Sequence, residues 1–295
     1  MTNSAPATIA FRRILILTDF SDVSDRAVEY AKRVAKQQGS SLLLARVIQP
    51  VNPVAVPEPV WVDEEVEQRI EDQLEQKGAE LRSEGFHAQA IFVIGEVQDE
   101  VLALASKEKA DLIFVGTHSR TGIGRLLFGS DAEAVLRNAN CPVVVMGPGA
   151  PAAADWTWPP KDVICATTLD PDSAWIAGYA YRLANEFQAR FMVLDVENPA
   201  QMSAEAEWLR FEGAFRNSLP EGIGPNTPLR AMYSNSVPGN TIVDVAKERH
   251  SDLIVMGARN ASAASTHFLR GIVPQVLMDA TCPVLVLPRQ LDWKR

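Results

Sequence analysis

Residues 116 to 130 read Gly116-Thr-His118-Ser119-Arg120-Thr-Gly122-Ile-Gly124-Arg125-Leu-Leu-Phe-Gly129-Ser130. These residue types suit the binding of phosphate. Glycine has no Cβ, so at Gly116 the backbone can come close to a ligand. Gly129 and Ser130 stand before a helical stretch, where unpaired N–H groups and the positive dipole end attract an anion. The Ser130 hydroxyl can cap that helix or donate to a phosphate oxygen. Arg120 and Arg125 add mobile positive charge, and His118 lies in the loop, facing either phosphate or solvent. The same segment also suits a plain turn closed by a serine cap. Gly-x4-Gly-Lys-Ser/Thr, Gly-x-Ser-x-Gly and the kinase signatures do not occur, which sets aside the common P-loop and serine-hydrolase readings. His87, His250 and His267 have no Cys, Asp or Glu at ligand spacing, so no metal site is expected.

Such a loop works only if a scaffold aims it. Short apolar runs at Arg13–Leu17, Leu42–Val47, Ala88–Ile94, Leu112–Val115 and Val143–Met146 read as strands. Helical spacing at Ser24–Gln37, Glu64–Leu81, Asp99–Lys107 and Asp131–Asn138 fills the intervals. Strands that are apolar throughout and alternate with helices imply a parallel sheet covered on both faces. Right-handed crossovers make it an open, doubly wound α/β sheet. In such a sheet ligands bind beyond the carboxyl ends of the strands, which is where the glycine-rich loop falls.

The pattern occurs twice. Tyr30, Ala31, Arg33 and Ala35 recur as Tyr179, Ala180, Arg182 and Ala184, offset by 149. Ala110-Asp-Leu-Ile recurs as Ser251-Asp-Leu-Ile, and Cys141-Pro-Val as Cys282-Pro-Val, both offset by 141. The second copy is therefore eight residues shorter in its middle. Its strands are expected at Val163–Thr167, Phe191–Val196, Leu229–Tyr233, Leu253–Met256 and Val284–Leu287. The expected organisation is a first domain over 1–148, a Pro/Gly/Ala-rich linker over 149–160 and a second domain over 161–295. Trp156 and Trp158 in the linker are expected to pack onto a domain.

At 295 residues, two domains are the natural reading. A net charge of −9, with no dense Lys/Arg run, points away from nucleic acid. No apolar run approaches the ~20 residues that span a bilayer, and residues 1–10 do not read as a signal peptide. The three cysteines show no disulfide or zinc spacing and are expected as small buried groups in a reducing cytoplasm. The acidic helix from Asp63 to Glu84 reads as a solvated face, or as a cover for the loop together with residues 50–59.

Gly116, Ser119, Gly129 and Ser130 occupy the four fixed positions of the pattern Gly-x2-Gly-x9-Gly-Ser/Thr, with its spacing intact. With Ala110-Asp-Leu-Ile, Cys141-Pro-Val-Val-Val and the opening Ile14-Leu-Ile-Leu-Thr18-Asp19-Phe-Ser21, this resembles the universal stress protein family, twice over nearly the whole chain. The resemblance implies two tandem Rossmann-like domains of the adenine nucleotide alpha hydrolase-like type, each with a five-stranded parallel sheet. It implies an adenine nucleotide such as ATP as ligand. Asp19, with Thr18 beside it, would meet the adenosine portion, and Val47 would line the adenine pocket. Gly116 and Ser119 would hold ribose and phosphates, and Gly129 and Ser130 the terminal phosphates. Asp19 equally suits a cap for the following helix. Family members commonly pair domains through their fifth strands, so the two copies would form a pseudo-dimer within one chain, with a homodimer of chains as a further level.

Two residues depart from the pattern. Ser119 replaces the second glycine, and Asp131 follows Ser130, where its carboxylate repels phosphate unless Mg²⁺ lies between. The second copy departs further: Arg270 stands in place of Gly129 and Thr168 in place of Asp19. It is expected to bind no nucleotide. Three functions follow: a cytoplasmic, ATP-binding stress-response regulator, a nucleotide-independent scaffold, and a slow ATPase or nucleotidyl or phosphoryl transferase. No catalytic residue is assigned.

Overall fold

The computed structural model describes residues 9–49, 64–117, 130–167, 173–197, 209, 212–214, 216–217, 232–233, 238–258, 272–289 and 291. The N-terminal domain carries β1 (Arg13–Leu17), α1 (Asp22–Gln38), β2 (Ser41–Ile48), α2 (Glu64–Ser83) and β3 (Ala88–Ile94). It continues with α3 (Val97–Lys107), β4 (Leu112–Gly116), α4 (Ser130–Asn138) and β5 (Val143–Met146). The second carries β6 (Asp162–Ala166), α5 (Ala174–Glu186), β7 (Arg190–Leu194), β8 (Val196–Glu197) and β9 (Met232–Tyr233). It closes with α6 (Pro238–Arg249), β10 (Leu253–Gly257), α7 (Ile272–Asp279) and β11 (Val284–Leu287).

The expected α/β alternation holds, with a difference in how the sheets end. The two domains share one nine-stranded sheet, ordered β3-β2-β1-β4-β5-β11-β10-β6-β7. Neighbours within a domain are parallel; at the seam β5 and β11 pair antiparallel, Val145 opposite Val284 and Val143 opposite Val286. In the second domain only Met232–Tyr233 of the expected third strand is described, paired with Val196–Glu197 as a separate ribbon; residues 229–231 lie outside the described residues. Strand residues alternate between two apolar layers. Ile14, Leu42, Phe114 and Val144 face α1, and Leu15, Leu43, Ile113 and Val143 face α3 and α4. Both layers run on across the seam.

The segment between the domains is packed. The Trp156 ring stacks on Tyr30, centroids 4.2 Å apart, and its Nε1 donates to the Asp252 carbonyl at 3.0 Å. Tyr30 donates its hydroxyl to the Pro151 carbonyl at 2.9 Å, and Trp158 meets Phe187 edge-on at 5.1 Å. The aspartate of each repeated Asp-Leu-Ile also has a scaffold role. Asp111 accepts the amides of Arg12 and Arg13 at 2.7 and 3.0 Å, and Asp252 those of Lys161 and Asp162 at 2.8 and 3.0 Å. Each ties the fourth strand of its copy to the first. All three cysteines are free and buried, and burial pushes the Cys141 and Cys282 thiols up to about 12.

Candidate functional site

The strand order 3-2-1-4-5 reverses between β1 and β4. The chain leaves β1 toward α1 on one face and leaves β4 toward α4 on the other, the arrangement that in open α/β sheets makes a ligand crevice beyond the strands' carboxyl ends. Because β1, β2 and β4 are parallel, their ends share one sheet edge. Leu17 pairs with Ala45, so Val47 stands two residues further out along β2, half-buried against the layer that α3 and α4 cover.

A dense polar network shapes the β1–α1 turn. The Thr18 amide extends the strand pairing by donating to the Ala45 carbonyl at 2.9 Å, and Thr18 Oγ1 accepts the Phe20 amide at 3.1 Å. Asp19 Oδ1 accepts both the Ser21 amide, at 3.1 Å, and the Ser21 hydroxyl, at 2.6 Å. Ser21 is the residue that caps α1, accepting the Ser24 amide at 3.3 Å. Asp19 thus supports the cap without being it. Phe20 has φ of 64°, a left-handed conformation that a bulky residue adopts only when its surroundings impose it.

Arg46, which the sequence reading passed over, reaches into this turn from β2. Its Nη1 donates to the Thr18 carbonyl at 3.2 Å, and its guanidinium carbon lies 5.6 Å from the Phe20 ring centroid. Burial lowers its pKa, and the negative charge of Asp19 opposes that shift. The signal was present: Arg46 is the sole charged residue in Ser41–Ile48.

Gly116 ends β4 beside Met146. A Cβ there would lie 2.9 Å from the backbone of Val23 and of Ser24. The missing side chain therefore lets the first turn of α1 lie against β4, a packing requirement that holds without any ligand. Thr117 pins the following turn to β5, its amide 2.9 Å from the Met146 carbonyl. His118, Ser119, Arg120 and Gly129 lie outside the described residues. The helix α4 begins at Ser130; the side chains of Ser130 and Asp131 lie outside what is described.

Among the described residues, clefts of about 430 and 420 Å³ occur elsewhere. The larger, between α1 and α2, holds internal ion pairs of Lys77 with Asp25 at 2.6 Å and of Lys32 with Glu29 at 2.8 Å. The smaller lies at the opposite edge of the sheet, around Arg13, Ser41 and His87. Neither is lined by Thr18, Asp19, Val47 or Gly116, and volume alone does not locate the site. Among the described residues there is no metal-ligand cluster and no helix long and apolar enough to cross a membrane.

The model of the family described as "Universal stress protein family" matches residues 10–147 and again 160–288. A universal stress protein of Methanocaldococcus jannaschii, MJ0531, is 33% identical over 139 residues, covering 46% of this chain and 82% of that protein. One from Mycolicibacterium smegmatis is 25% identical over 289 residues, covering 93% of this chain and 96% of its own length. The crystal structure of a universal stress protein from Archaeoglobus fulgidus superposes with a TM-score of 0.67 at 18% identity, covering 94% of this chain and 98% of that one. With two matches to the family model along one shared sheet, this chain belongs to the universal stress protein family and carries two of its domains in tandem.

Proposed function

We propose that this protein is a cytoplasmic stress-response regulator that binds ATP, or another adenine nucleotide, in its N-terminal domain. The second domain serves as a non-binding partner that completes a pseudo-dimer. The observation that carries this reading is the contrast between the copies: Gly116, Ser119, Gly129, Ser130 and Asp19 in the first face Gly257, Asn260, Arg270, Gly271 and Thr168 in the second. The strand-order reversal supports this reading. A carboxylate-bearing turn and the Val47 position lie along one edge there. In this reading Thr18, Asp19 and Val47 receive the adenosine end, and Gly116, His118, Ser119 and Arg120 the ribose and phosphates. Gly129 and Ser130 take the terminal phosphates, with Mg²⁺ between them and Asp131. The nucleotide acts by its differential affinity for two conformational or assembly states.

A nucleotide-independent scaffold is the second reading, and one observation favours it. Gly116 is required by the approach of α1, and Asp19 by the Ser21 cap, whether or not a ligand binds. Calorimetry with MgATP on wild type and Gly129→Arg separates the two. The proposal expects binding by wild type and its loss in the variant at an unchanged thermal midpoint. Retained affinity in Gly129→Arg contradicts the proposed site, and a silent wild type favours the scaffold.

A further inference from the structure

Arg46 contacts two residues of the β1–α1 turn, Thr18 and Phe20, and acts on the Asp19 between them through its charge. It bonds the Thr18 carbonyl and faces the Phe20 ring. The turn needs such support, because the left-handed Phe20 is intrinsically unfavourable. A guanidinium suits the place: its planar fork donates to a carbonyl while its face lies over an aromatic ring, which a lysine ammonium does not reproduce. The second domain supplies an independent observation. At the 149-residue offset Thr168 replaces Asp19, and Asp195, 4% exposed, replaces Arg46. The copy without a carboxylate at the Asp19 position is also the copy without a cation at the Arg46 position.

We infer that Arg46 is a positioning residue for the adenosine end of the ligand, holding the β1–α1 turn so that Asp19 is presented at the strand-end crevice. This rests on the nucleotide reading above. Arg46 acts through the turn and not on the phosphates, which gives it a distinct signature. The test is to titrate wild type, Arg46→Gln and Arg46→Lys with adenosine, ADP and MgATP by calorimetry, with thermal midpoints taken alongside. Arg46→Gln is expected to weaken all three ligands by a common factor of about tenfold, the loss of one charge-assisted hydrogen bond. Arg46→Lys should lose nearly as much, with both variants folded, and in an Asp19→Asn background Arg46→Gln should add little further loss. A loss that grows from adenosine to ATP would make Arg46 a phosphate contact and overturn the inference. Unchanged affinities, or losses that add fully with Asp19→Asn, would overturn it as well. A wild type that binds none of the three ligands defeats the nucleotide reading and this inference together; normal binding by Arg46→Gln defeats the inference alone.

Discussion

The two domains keep the same scaffold contacts while inverting charges at matched positions. The amide of Thr18 reaches Ala45, and that of Thr167 reaches Leu194; the amide of Thr117 reaches Met146, and that of Ala258 reaches Leu287. At the opposite edge, Arg13 pairs with Glu108 at 3.2 Å in the first domain, whereas Asp162 pairs with Arg249 at 2.7 Å in the second. The sign is swapped and the pairing is kept. At the crevice edge, by contrast, Asp19 and Arg46 give way to Thr168 and Asp195. Ion pairs that tie the first strand to the end of a helix survive inversion because either polarity does the work. On the proposed nucleotide reading, the loss of the carboxylate at the Asp19 position is what separates the second copy from the first.

The largest expected effect sharpens the claim that the two domains form one unit. Trp156→Ala removes the stack on Tyr30 and the bond to the Asp252 carbonyl. It should lower unfolding free energy by about 4 kcal/mol in denaturant melts. Two separated transitions in the wild type would break the comparison, since the shared sheet requires one. The inverted ion pairs come next. Asp162 is 1% exposed and also accepts the Ser251 hydroxyl at 2.6 Å, so Asp162→Ala should destabilise by about 3 kcal/mol. Arg13 is 41% exposed, and Arg13→Ala should fall within about 1 kcal/mol of wild type. Equal losses would show that burial does not distinguish the two pairs. The glycines give the smallest contrast. Gly116→Ala forces the α1 backbone to shift and should lose about 2 kcal/mol. At Gly257 the added Cβ meets, among the described residues, the side chain of Ile176, 2.4 Å from Cδ1 and 3.3 Å from Cγ1, and that flexible end can rotate away. Gly257→Ala should therefore stay under about 1 kcal/mol by thermal melting.

Much of the fold was legible because its strands are short and apolar and its helices amphipathic, which periodicity detects directly. The repeat added the tandem arrangement, since Cys141-Pro-Val and Cys282-Pro-Val flag the fifth strand in each copy. Long-range adjacency was not legible. Residues 149–160 read as a linker whose tryptophans pack onto a domain, but composition did not say that Trp156 would meet Tyr30, far away in sequence. Gly116 looked like a close-approach glycine for a ligand, and its described neighbour is the first turn of α1. The cap was also displaced by one link, from Asp19 to Ser21, because a hydroxyl can accept the Ser24 amide while donating to a carboxylate. Arg46 carried a visible signal, a lone charge in an apolar strand, but its partners lie on a different strand's turn.

The difference between the domains reduces to a count. Native mass spectrometry of the freshly purified chain, read against calorimetric stoichiometry with MgATP, should give one adenine nucleotide per chain, lost on Gly129→Arg. Two per chain would show that Arg270 and Thr168 leave the second domain competent, and none would show that the first crevice holds no nucleotide.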